Sequence, residues 1–163
     1  MKEDNRKIET AIFAAGCFWG VEELFRATKG VLKTTVGYTG GHTKQPSYET
    51  VCSDQTGHAE AVKIDFDSQM IAYKKLLDIF WQNHNPTTYN RRGPDIGSQY
   101  RSAIFYSTDQ QKQLAEKSKK LLEQSKKYTN KIITKILPAA KFYPAEEYHQ
   151  KYLYKKGLKN CHL

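Results

Sequence analysis

The chain has 163 residues, 39% of them hydrophobic and 12% aromatic, which suits one packed domain over residues 1–163 and excludes wholesale disorder. No apolar run approaches the roughly 20 residues of a membrane span, and "MKEDNRKIETAIF" lacks the apolar core and small-residue cleavage site of a secretory signal, so a cytoplasmic protein is expected. The net charge of +9 is confined to residues 110–160, which hold 13 Lys, no Arg and 4 acidic residues, while the rest of the chain sums to zero.

"IETAIFAAG" reads as a strand closed by Gly16. From Phe18, the apolar residues Val21, Leu24 and Phe25 recur at helical spacing up to Gly30. "VLKTTVGYTGG" is a second strand. "HTKQPSYETVCSDQTGH" is a loop with one helical turn around Tyr48–Cys52. "AEAVKIDFD" alternates with period two, the clearest strand in the chain. A helix follows in "MIAYKKLLDIFWQNHN", closed by Pro86, and then a long polar loop, "PTTYNRRGPDIGSQYR". "SAIFYS" is a strand, Thr108 or Asp109 caps a lysine-rich helix, "KIITKIL" is a strand, and "PAAKFYP" connects to a last helix, "AEEYHQKYLYKK". "GLKNCHL" is a tail. Strands alternating with helices give a single α/β or α+β domain, whose strand order the periodicity leaves open.

The basic half invites a nucleic-acid reading. Its lysines nevertheless lie in "QQKQLAEKSKKLLEQSKKY", a helical pattern in which a charge run is ordinarily a solvated face. No nucleic-acid-binding signature accompanies it. The three cysteines, Cys17, Cys52 and Cys161, are odd in number and match neither a disulfide framework nor zinc-ligand spacing, and no metal site is expected. Cys52 falls on an apolar turn and reads as a structural thiol.

Cys17 sits between a strand, a glycine and a helix. The positive end of a helix stabilises a thiolate, which makes Cys17 a candidate nucleophile; a small buried hydrophobe is the other reading. Glu60 shares the parity of Val62, Ile64 and Phe66, so the alternation points it inward, where a carboxyl keeps its proton more readily. A solvated glutamate at the strand end is the alternative. The loop "GPDIGSQYR" offers Asp95 and Tyr100. A cysteine hydrolase would use the same thiol with a base and an oxyanion hole, and would need no reductant.

"GCFWGVEELF", "VGYTGGHTKQPSYETVCSDQTGHAEAVKIDFD" and "GPDIGSQYRSAIFY", in this order and spacing, resemble the peptide methionine sulfoxide reductase A family from about Ile12 to Cys161. The resemblance implies a two-layer α+β domain: a ferredoxin-like core, a mixed central sheet with helices packed on it, and a mobile tail at 157–163. It implies reduction of methionine-S-sulfoxide, free or in proteins, one enzyme serving each sulfoxide epimer. Cys17 matches the nucleophile and Glu60 the acid. Tyr48 and Tyr100 match tyrosines that hydrogen-bond the sulfoxide oxygen, and Asp95 matches an aspartate that orients them. Phe18 and Trp19 match an aromatic cage for the S-methyl group. Cys161 matches the cysteine that resolves the Cys17 sulfenic acid as a disulfide, with thioredoxin or another dithiol as reductant, no further cofactor, and a monomeric enzyme. Many members carry glycine and tyrosine before that cysteine, whereas this chain reads "GLKNCHL".

Overall fold

The structure, a computed structural model, describes residues 7–92 and 95–159. Cys161 and most of the 157–163 tail lie outside them. Eight strands and five helices follow one another: β1 (Ile8–Ala15), α1 (Phe18–Arg26), β2 (Val31–Thr39), α2 (Tyr48–Cys52), β3 (Ala59–Asp67), α3 (Tyr73–Gln82), β4 (Arg91–Arg92), β5 (Asp95–Ile96), β6 (Ser102–Tyr106), α4 (Asp109–Gln124), β7 (Lys135–Pro138), β8 (Tyr143–Pro144) and α5 (Tyr152–Lys155). Single 3₁₀ turns stand at Ser98–Tyr100 and Glu147–His149.

The main sheet runs β7-β6-β1-β3-β2-β8. Its four central strands, β6-β1-β3-β2, are all antiparallel and arise from a β1-α1-β2 unit and a β3-α3-β6 unit, the ferredoxin-like arrangement. β7 adds to β6 in parallel, which makes the sheet mixed, and β8 adds to β2. β4 and β5 form a separate two-stranded ribbon inside the long polar loop.

The helices lie on one face. In α1 the buried residues Phe18, Val21, Glu22 and Phe25 fall at helical spacing, and in α3 they are Tyr73, Leu76, Leu77, Phe80 and Trp81. Phe13 of β1 is the centre of this layer, stacked on Phe25 at 5.4 Å, Phe80 at 5.2 Å and Tyr73 at 6.0 Å between ring centroids. Burial of one such ring contributes about 1.5–3 kcal/mol. The opposite face is built from small residues, Ala14, Ala59, Ala61 and Ala103 with Ile12 and Phe105, and Phe142 packs on it. The Thr108 hydroxyl caps α4 by accepting from Gln111 N–H at 3.1 Å. In α4 only Gln111 and Ala115 are buried, so its lysines form a solvated face. Among the described residues no helix is long and apolar enough to cross a membrane.

Two expectations need correction. The last helix, expected over 145–156, is broken into the 3₁₀ turn at 147–149, Lys151 in the left-handed region at φ 52°, and the short α5. Side chains on both sides of the break bind the core instead of solvent: Glu146 accepts from Tyr38 and Tyr48, Gln150 bonds both the N–H and the C=O of Val36, and Glu22 accepts the Lys151 N–H at 2.6 Å. Cys52, expected buried, is exposed. The five-residue α2 buries only Val51, so the next residue turns outward.

Candidate active site

The site forms where β1 ends. Its register with β3 pairs Phe13 with Val62, two residues short of Ala15 on one strand and of Glu60 on the other. Gly16 follows at φ 96°, a conformation that side chains with a Cβ rarely adopt, and turns the chain directly into α1. Cys17 is thereby the N-cap of α1 and half-buried, at the positive end of the helix. Glu60 is 1% exposed, and its Oε1 accepts the Phe18 backbone N–H at 3.2 Å. A carboxyl is thus brought to the helix terminus that carries Cys17 through a bond to Phe18, 42 residues away in sequence.

Tyr48 and Tyr100 flank this pair, both half-buried and both within the electrostatic reach of Glu60. Burial pushes both phenols well above the ordinary tyrosine range, so each stays an O–H donor. Asp95 acts electrostatically on Tyr100. The turn carrying Tyr100 is braced by Ser98, which donates to Asp54, and by Arg101, which donates to Ser98 O at 2.9 Å and Gly57 O at 2.8 Å. Gly97, at φ 148°, enters this turn where a Cβ would lie 2.1 Å from Gln99 Oε1. His58 is a loop brace: its Nδ1 accepts from Gly41 N–H at 3.0 Å, which leaves Nε2–H to donate to Thr43 O at 2.7 Å.

Phe18 is 1% exposed and packs on Tyr38 and His149 at 5.7 and 5.2 Å, so it backs the site from within the core. Trp19 is half-buried. It stacks on Tyr152 at 3.9 Å and donates its indole N–H to His149 Nδ1 at 2.9 Å. His149, Tyr152 and Glu146 are the residues that sequence reasoning missed; inside "AEEYHQKYLYKK" no local signal sets them apart from an ordinary helix. Glu146 locks the neighbourhood by accepting Tyr38 O–H and Tyr48 N–H, both at 3.0 Å. Burial alone would raise its carboxyl, but those hydrogen bonds hold it below the ordinary value. Cys52 sits at the rim beside Tyr48, with its thiol pushed up by desolvation and opposed by the Tyr48 hydrogen bond. Among the described residues no three His, Cys, Asp or Glu side chains cluster as a metal-ligand set.

A thiol at a helix N-terminus, beside a buried carboxyl and two phenol donors under an aromatic wall, can attack an electrophilic sulfur while protonating its oxygen. Residues 9–163 match the profile of peptide methionine sulfoxide reductase. The peptide methionine sulfoxide reductase MsrA of Methanosarcina mazei is 57% identical over 151 residues, covering 93% of this chain and 72% of that protein. Mxr1 of Saccharomyces cerevisiae in its reduced form superposes with a TM-score of 0.87 at 37% identity, covering 96% of this chain and 90% of that one. Mxr1 in complex with Trx2 superposes at 0.65 with 28% identity, over 93% of this chain and 89% of that one. The chain belongs to the peptide methionine sulfoxide reductase family.

Proposed function

We propose that the chain carries out the family's reduction with Cys17 as nucleophile and Glu60 as acid, on the S epimer of methionine sulfoxide. The Cys17 thiolate attacks the sulfoxide sulfur. Glu60 gives a proton to the oxygen, since an unprotonated oxide is a poor leaving group. The oxygen passes to Cys17 as a sulfenic acid, and methionine leaves. Tyr48 and Tyr100 donate to the sulfoxide oxygen, and Asp95 orients Tyr100. Trp19, backed by Phe18, faces the S-methyl group, where an aromatic surface suits a polarisable apolar substituent and excludes water.

The Cys161 thiol then displaces water from the sulfenic acid to form a Cys17–Cys161 disulfide, which an external dithiol reduces by exchange. The superposition on Mxr1 bound to Trx2 supports a thioredoxin as that dithiol. Free and protein-bound methionine sulfoxide share the reacting group and both serve as substrate. We place the enzyme, as a monomer without a further cofactor, in a reducing cytoplasm.

The observation that carries this reading is the Phe18 N–H to Glu60 contact, which sets a water-shielded carboxyl one residue from Cys17. The test is methionine formation from methionine-S-sulfoxide with dithiothreitol. The wild type turns over and Cys17→Ser does not; full activity in that variant would sink the assignment. A hydrolase would instead cleave a carbonyl substrate with no reductant present.

A further inference from the structure

We infer that His84 is a positioning residue: with Ser102 and Thr134 it clasps the two ends of the 85–101 loop and so fixes Tyr100 and Asp95 at the Cys17 site. The inference rests on the reading of Tyr100 as a donor to the sulfoxide oxygen and of Asp95 as the residue that orients it. The loop leaves the end of α3 after His84 and enters β6 at Ser102. His84 Nε2 lies 2.8 Å from Ser102 Oγ, and that oxygen lies 2.7 Å from Thr134 Oγ1. One chain of hydrogen bonds thus joins the residue before the loop to the residue after it. The 133–134 segment is stitched to the loop itself as well, since Ile133 N–H donates to Pro86 O at 2.9 Å.

The direction of each bond in the clasp is set. His84 Nδ1 lies 2.7 Å from the Phe80 carbonyl, one of the last carbonyls of α3, which the helix itself leaves open. A carbonyl only accepts, so Nδ1 carries a proton and, in the neutral ring, Nε2 offers its lone pair. Ser102 therefore donates to His84, and Thr134 donates to Ser102. The imidazole rests on Phe80, 4.4 Å between centroids. Ser102 and Thr134 are both buried, so water does not compete for their bonds. A satisfied buried polar chain holds one geometry, whereas apolar side chains would fill the same space without specifying it.

That geometry bears on the site through where its ends lie. Ser102 pairs with Ala15, on the strand that runs on through Gly16 to Cys17. The clasp therefore refers the other end of the loop, at His84, to the strand that delivers the thiol. Between those ends every ordered residue costs conformational entropy, and the loop is folded back on itself. Asn90, at φ 48°, accepts the Gly97 N–H at 2.8 Å, and Arg92 pairs with Asp95 in the ribbon. Asp95 acts electrostatically on Tyr100, which stands two residues before Ser102. A displacement at His84 passes along this stitched loop to both.

The test places His84→Phe, which keeps a ring but loses both bonds, in two backgrounds. Tyr48 is the second donor to the oxygen. Tyr48→Phe therefore leaves the reaction dependent on Tyr100, whereas Tyr100→Phe removes the group that His84 positions. The readout is the single-turnover rate of methionine formation from methionine-S-sulfoxide, a step that precedes disulfide recycling. With Tyr48 replaced, His84→Phe is expected to lower that rate by about 10–100-fold, the range in which a displaced positioning group slows a reaction. With Tyr100 replaced, the same change should leave the rate within about 2-fold. His84→Gln, which keeps an acceptor oxygen for Ser102, should restore most of the loss. Ser102→Ala cuts the clasp at its middle while keeping the sheet pairing, and it should reproduce the Phe result. Equal losses in both backgrounds overturn the inference, since a general packing defect does not depend on which tyrosine remains. So does an unchanged rate, with Tyr48 replaced, in whichever of His84→Phe and Ser102→Ala is folded by thermal melts. Should the wild type form no methionine, the functional reading falls as well; wild-type turnover with backgrounds that respond alike removes the role of His84 alone.

Discussion

Replacement of Glu60 separates the two tasks of its carboxyl. One is structural, since it accepts the Phe18 N–H at 3.2 Å in a site with 1% exposure. The other is the proposed proton transfer. Glu60→Gln keeps the size and the acceptor oxygen, and its amide still donates a hydrogen bond, but it has no proton to release. Glu60→Ala loses both tasks and strands a buried N–H, at a cost of about 1–3 kcal/mol. In a chain of this length each kcal/mol lowers Tm by about 2–4 °C. Loss of general-acid help slows the chemical step by about 10²–10⁴-fold. The expected order in kcat is wild type, then Gln with partial activity, then Ala with a loss in that range, while Tm falls clearly only for Ala. Initial rates of methionine formation with saturating dithiothreitol, beside thermal melts, measure both. An Ala variant that turns over at the wild-type rate refutes the reasoning, because the site would then need no acid at this position.

Other outcomes follow from the same geometry. Cys161→Ser should give one turnover of methionine per enzyme with thioredoxin and then stop, whereas sustained turnover would pass the resolving role to another thiol; mass spectrometry after a single turnover of the wild type should find Cys17 joined to Cys161. Gly16→Ala forces a Cβ into φ 96° and should cost more than about 1 kcal/mol, read as a lower Tm together with lost activity. Burial raises the Glu22 carboxyl above its ordinary 4.5, against the hydrogen bonds from Thr34 and Lys151. Its contribution to stability is therefore fully present below pH 4.5 and lost as pH rises through the raised value. Melts of the wild type and Glu22→Gln from acid to neutral pH should show the wild type losing ground to the variant over that window, and a constant difference would refute the sign.

Much of the architecture was legible because periodicity encodes which face of an element is buried. β1, α1, β2, β3, α3, β6 and α4 stand where their apolar spacing puts them, to within a few residues at the ends. The alternation of β3 pointed Glu60 inward, and the strand-glycine-cysteine-helix order put Cys17 at a helix start, because both are consequences of a few neighbouring residues. Cys52 misled for a related reason: a five-residue helix is too short for its pattern to say which side docks.

The segment from Ala145 to Lys155 marks the limit of that reading. Its residues carry ordinary helix propensity, yet the chain breaks there, because Glu146 and Gln150 find partners 98 to 114 residues away and Glu22 claims the Lys151 N–H from 129 residues away. A side chain's choice between solvent and a distant backbone group is decided by which strands are adjacent, and no local pattern carries that information. The sequence by itself therefore determined the elements, the thiol at the helix terminus and the inward carboxyl. Only the tertiary structure decided that Trp19 would be held between His149 and Tyr152, since that contact exists only once the sheet has brought residues 130 apart into hydrogen-bond range.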